Sequence, residues 1–239
     1  PYSGLDPGAK SHETIHFSVR AYSTEKAVKY AELLEKNYQR IMNDVGIYSF
    51  MPSRPYNAII YADSGEYLSK TGMPEWSGGI AYGNALLLYD SPDAEPTIAH
   101  ETTHLVFNEF MGLSNLDRKE LKWINEGIAV YEEVQPGNLS RVFYENYFRQ
   151  DVAKNPMPFS QMISFAPLKE ENRSANRWYC QAGSVARFML EKGGSIGFAI
   201  FLSKLKDGQT LDAALKIAFP GRWQSLDELE KSWLITIQQ

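Results

Sequence analysis

Apolar and polar residues alternate from Thr14 to Tyr22, with Phe17 and Val19 set against His16, Ser18 and Arg20. A period of two belongs to a strand with one buried face, so the segment predicts a half-buried β-strand. The period then changes. Ala27, Tyr30, Leu33, Leu34, Tyr38, Ile41 and Met42 recur at helical spacing, behind Ser23 as N-cap and with Glu25 in the first turn, and Gly46 follows the last of them. Lys26 stands where a Glu or Gln would complete a capping box, so this cap is one-sided. Asn57–Ala62 reads as a short apolar strand, and Gly78–Tyr89 as another that opens on a glycine pair.

From Ser91 onward the pattern is helical. Helices are predicted over roughly 93–111, 118–135, 138–153, 175–192, 195–206, 210–217 and 225–238, and Pro156, Pro158 and Pro167 mark an irregular stretch between the third and fourth. The change falls near Asp90–Pro92. It predicts an α+β chain forming one domain over 1–239, with a small mixed-sheet lobe at 1–90 and a helical lobe at 91–239. The cleft between two such lobes is the expected substrate site.

Composition narrows the partners. The 239 residues are 44% hydrophobic and 13% aromatic, enough for a sizeable core. The net charge of -5 has no basic block behind it, so no nucleic-acid partner is expected. No apolar run reaches the ~18 residues of a membrane span. Cys180 is the one cysteine, which excludes an intrachain disulfide and a cysteine-held metal. The start at Pro1 rather than Met suggests removal of a leading segment and an extracytoplasmic or secreted location. Oligomeric state is left open.

The chemistry concentrates in His100-Glu101-Thr102-Thr103-His104, an HExxH run in a helix whose apolar face is Ile98, Leu105, Val106 and Phe110. Residues four apart share a helix face, so both imidazoles can reach one zinc ion, and the adjacent glutamate can reach a water bound to that zinc. A catalytic zinc takes three protein ligands and keeps one position open. His12 and His16 lie far upstream. Glu126, in Trp123-Ile124-Asn125-Glu126-Gly127-Ile128-Ala129, follows His104 after 21 residues on a second amphipathic helix. A turn around Gly112–Asp117 would lay that helix antiparallel to the first, with Gly127 and Ala129 leaving little bulk at the contact. Glu133, two turns beyond Glu126, is a candidate outer acceptor that orients a zinc-bound histidine; Asn108, one turn past His104 on the same face, is either a further group of that outer layer or a helix-packing residue. Glu132 reads as a solvated helix residue.

HExxH followed by W-x-N-E-G-x-A resembles the gluzincin metallopeptidases, nearest the aminopeptidase N branch and the peptidase MA-like domains. The resemblance implies a zincin-like fold, one zinc per chain held by His100, His104 and Glu126, Glu101 as general base, and a peptide or protein substrate. It implies a tyrosine as oxyanion donor. Tyr179, in Tyr179-Cys180-Gln181-Ala182-Gly183, fits that element, with Tyr131 and Tyr144 as alternatives. It further implies an edge strand that pairs with substrate, matched by Gly78, Gly79, Ile80 and Ala81; a bulge or turn entry is the other reading of those glycines. The G-A-M-E-N run of aminopeptidases is missing there, which favours an endopeptidase or a narrow-specificity peptidase.

Other features fit packing. Cys180 suits a buried small hydrophobe, and the aromatic run Val142–Phe148 suits helix packing or a pocket wall. Lys169–Arg173 reads as a solvated, mobile loop over the cleft. Two other functions remain in view: an idle zinc-bearing binding domain, and a metal hydrolase of a non-peptide amide or ester.

Overall fold

A computed structural model of the chain describes residues 4–135, 139–164 and 173–238. These fall into two compact units, one of residues 1–41 and 50–106, the other of 42–49 and 107–239.

The first unit is built on a five-stranded sheet of β1 (Lys10–Glu13), β2 (Phe17–Ala21), β3 (Tyr56–Tyr61), β4 (Gly79–Tyr82) and β5 (Ala85–Tyr89), in the order β1-β2-β3-β5-β4. The three central strands run parallel, and β1 and β4 are antiparallel edges. The alternation seen in the sequence is realised in β2, where Phe17, Val19 and Ala21 are fully buried. Helix α1 (Thr24–Val45) supplies Ala27, Tyr30, Ala31, Leu34 and Tyr38 to this core, and Phe17 meets Tyr38 edge-on. Ser23 caps α1, its Oγ accepting from the Lys26 N–H at 3.2 Å. A second apolar cluster forms around Tyr61, Tyr67 and Leu87, with Ile80 and Met73 against it.

Three elements of this unit differ from the sequence reading, the first being the edge strand β1, which no predicted element covers. Gly78–Tyr89 is a hairpin rather than one strand: Gly83, at φ +59°, and Asn84 turn β4 back on β5. Helix α2 (Ser64–Thr71) was not anticipated, although Asp63 and Glu66 have the spacing of a capping box. Asp63 accepts from the Glu66 N–H, and Glu66 accepts from the Ala62 N–H at 2.7 Å. The helix ends at Gly72 in the left-handed conformation.

Helix α3 (Glu95–Met111) carries HExxH, and the remaining elements are helical. After the short α4 (Leu113–Leu116) and a 3₁₀ turn at 119–121 comes α5 (Lys122–Glu133), then α6 (Leu139–Tyr147), which runs into a π-helical turn at 148–152. The proline-marked stretch contains α7 (Phe159–Ser164), with Pro158 just before it, a place where the missing N–H costs nothing. Helix α8 (Arg173–Lys206) holds non-helical backbone at Gly194, φ 78°, which divides it where 175–192 and 195–206 were expected to part. Helices α9 (Leu211–Ala218) and α10 (Leu226–Ile237) follow, capped by Thr210 and Ser225. The Lys169–Arg173 loop lies outside the described residues as far as 172.

Within the second unit α5 and α8 touch closely. A Cβ on Gly127 would lie 2.6 Å from the Ala182 carbonyl oxygen, and one on Gly183 would lie 2.5 Å from Val130 Cγ1. Only glycine lets the two backbones approach so far. Gln181 fixes the segment before α7, donating to the Met157 carbonyl at 2.6 Å and accepting from its N–H at 2.8 Å. Trp233 of α10 packs on Phe159 and donates to Ser184 Oγ.

Candidate metal centre

Helix α3 is almost wholly enclosed. From Ile98 to Phe107 every residue is buried except His100, which is half-buried. A helix sheathed on all sides needs apolar residues all round, and the polar members here therefore require a reason. His104 and Glu101 are 8% and 5% exposed. The imidazoles of His100 and His104 stand edge to face with centroids 4.8 Å apart, as the one-turn spacing dictates.

Glu101 points to the edge of the sheet. Its Oε2 accepts from the Ala81 N–H of β4 at 2.8 Å. The register explains why that N–H is available. Tyr82 pairs with Ala85 across the two-residue turn, so Ala81 and Leu86 form the next, non-hydrogen-bonded pair and Ala81's backbone groups face the outer edge. Gly78 and Gly79 owe their identity to packing: a Cβ on either would meet Thr97 of α3, at 2.9 Å in both cases, and on Gly79 also Leu88 at 2.5 Å. Strand β4 thus lies against the turn of α3 that precedes His100. Ile80 turns to the opposite face, toward the Tyr61–Tyr67 cluster.

On α5, Glu126 is half-buried, in the stripe that Glu133 extends. His100, His104 and Glu126 each offer one ligand atom, and the three atoms lie within 4.8 Å of one another. Donors of one tetrahedral zinc, with bonds of ~2.0–2.2 Å, stand roughly 3.4 Å apart, inside that limit. Two neutral imidazole nitrogens and one carboxylate are a donor set that suits a borderline divalent ion. This cluster could hold a metal.

The outer candidates separate. Asn108 Oδ1 accepts from Asn125 Nδ2 at 3.1 Å, joining the turn after His104 to the residue before Glu126. Glu132 is fully buried and not solvated: it continues the buried stripe of Ile124 and Ile128 at four-residue spacing. Tyr131 is held at about 12 by burial first and then by the charges of Asp44 and Glu132. Tyr144 is raised well above the usual tyrosine value, by burial first, then by Glu133, Cys180, Tyr179 and Glu126. Its ring therefore lies within electrostatic range of Glu126 and of the half-buried Tyr179. His16 is engaged elsewhere, its Nδ1 2.7 Å from Glu35 and its ring stacked on Tyr38. Cys180 is buried, and burial pushes its thiol up to about 12, as an inert packing residue requires.

A sequence model of the peptidase MA superfamily matches residues 34–238. The chain belongs to the peptidase MA superfamily. The match takes in α3, β4 and α5, and with them His100, Glu101, His104, Ala81 and Glu126. No curated protein sequence matches the chain. In this peptidase MA domain a cavity of about 400 Å³ also opens behind α5, walled by Val130, Tyr144, Phe148, Phe188 and Trp233, but none of the three candidate ligands lines it.

Two contacts of the site were beyond sequence reasoning. The Ala81 N–H on Glu101 is a backbone donor, and its direction depends on the hairpin turn at Gly83-Asn84, whose Gly-Asn pair is the signal that was available. The Asn108–Asn125 bond joins residues 17 apart on different helices, and pairing of that kind leaves no local pattern.

Proposed function

We propose that this domain is a zinc-dependent peptidase. The reading is carried by one observation: in a member of the peptidase MA superfamily, His100, His104 and Glu126 bring their donor atoms within 4.8 Å of one another, with Glu101 buried beside the first of them. His100, His104 and Glu126 would hold the ion. A bound zinc supplies Lewis acidity and brings the pKa of its water down to about 7. Two histidines and a carboxylate also suit iron(II), but a carboxylate base beside the first ligand serves hydrolysis.

The chain's own groups divide the remaining work. Glu101 acts as general base. The Ala81 N–H holds Oε2, which orients the carboxylate and leaves Oε1 as the oxygen that takes the proton. The buried setting strengthens each of these polar contacts. Tyr179, with Tyr144 beside it, is the hydroxyl donor proposed for the developing oxyanion. A phenol, with an ordinary pKa of about 10, is protonated at neutral pH and has a proton to donate. The outer edge of β4 offers the Ala81 carbonyl to an added peptide strand, which supports a peptide or protein substrate over a small amide or ester.

The test is cleavage of a mixed peptide library by the purified chain, with and without a zinc chelator. Internal cleavage products that vanish on chelation and return with added zinc are expected. Products that persist through chelation would remove the zinc dependence, and a library left intact with zinc present would remove the peptidase reading.

A further inference from the structure

We propose that Asn108 and Asn125 are a positioning pair that sets the height of Glu126 along α5. The inference rests on the zinc reading above and assigns work to side chains outside the ligand set.

Successive residues Asn125, Glu126 and Gly127 face three ways, because each step on a helix turns by 100° and rises 1.5 Å. Asn125 reaches α3 and donates to Asn108 at 3.1 Å. Gly127 lies against α8, where any Cβ would come 2.6 Å from the Ala182 carbonyl oxygen. Glu126 stands between these two contacts in sequence. The glycine contact sets how near α5 lies to α8. Apolar packing is non-directional and tolerates a slide along the axis. A hydrogen bond between two short amide side chains does not tolerate one, since a shift of a few tenths of an ångström weakens it. Asn108 lies one turn past His104 on α3, so its partner in α5 is held at a defined distance from the ligand-bearing turn. A carboxylate that must reach the same ion as two imidazoles from another helix needs that precision.

Isosteric substitutions separate this role from bulk and charge. In Asn108→Asp, the carboxylate still accepts from the Asn125 amide. In Asn125→Asp, the Asn108 amide turns over to donate. The double variant sets two carboxylates face to face, where like charges repel and no amide remains to donate. Affinity for cobalt(II) and zinc(II) is measured on the full chain by competition with a chelator, with helicity checked by circular dichroism. Both single variants should bind metal close to wild type. The double variant should bind about 10- to 100-fold more weakly, the range that loss of an orienting contact produces. Added negative charge alone would tighten cation binding, so the predicted sign is opposite to a simple electrostatic effect. Asn108→Leu should weaken binding by a similar factor.

A double variant that keeps its helicity and binds as tightly as wild type, or more tightly, would overturn the pairing. Loss of helicity in the double variant passes the decision to Asn108→Leu, and wild-type affinity in that variant overturns the proposal equally. A wild-type chain that binds neither metal would instead bring down the zinc reading, and this proposal with it.

Discussion

Glu101→Gln is expected to keep one zinc per chain and to lower kcat/KM by about 10²- to 10⁴-fold, the usual contribution of a positioned general base. The substitution is isosteric. Its amide oxygen can still accept from the Ala81 N–H, which Glu101 holds at 2.8 Å, so the strand-edge contact and the position of the side chain survive. What is lost is the ability to take a proton, since a neutral amide has no carboxylate lone pair of useful basicity. Helix α3 is buried all round at this point, and a neutral side chain of equal size adds no desolvation cost there. Steady-state kinetics on the best library peptide, alongside metal analysis of both proteins, gives the comparison. Turnover within a fewfold of wild type would contradict the base assignment and would favour another base.

Glu126→Ala is expected to abolish stable metal binding. Its removal leaves two imidazoles one turn apart on α3 and no third protein donor within reach among the cluster of three. The consequence extends to stability. A ligand that binds only the folded chain, present at 100 times its Kd, adds about 2.7 kcal/mol, which for a chain of this size raises Tm by roughly 5–10 °C. Zinc should therefore raise the melting temperature of the wild type and leave that of Glu126→Ala unchanged. The neighbouring Gly127 contact with α8 does not involve the carboxylate, so the metal-free Tm of the two proteins should be close. An equal zinc-induced shift in both proteins would place the ion elsewhere.

Much of the site was readable because its chemistry is periodic. His100 and His104 share a helix face by spacing alone, and the alternation at Phe17 and Val19 announced β2. Glu126 was reachable because W-x-N-E-G resembles a known family, and His100, His104 and Glu126 each offer an atom within 4.8 Å of the others, a cluster that could hold a metal. The misreadings have local causes. Leu86, Leu87 and Leu88 made Gly78–Tyr89 look like one apolar run, although Gly83-Asn84 lies inside it and turns the chain. Glu132 was placed in solvent because glutamate on an outer helix face usually is, whereas α5 is enclosed along the Ile124–Ile128 stripe as well. Gly78 and Gly79 could be read as room for a substrate or as a bulge or turn entry, and in the structure a Cβ on either would meet Thr97 of the domain's own helix. Close approach between elements is a tertiary fact, and glycine in a sequence does not say which neighbour it admits.

X-ray absorption spectroscopy at the zinc edge, on the zinc-loaded wild-type chain, tests the ligand set most directly. Two imidazole nitrogens at ~2.0–2.1 Å and one carboxylate oxygen at ~2.0–2.2 Å, with one further light atom, are predicted. A coordination shell with a sulfur, with a single imidazole, or unchanged in Glu126→Ala would contradict it.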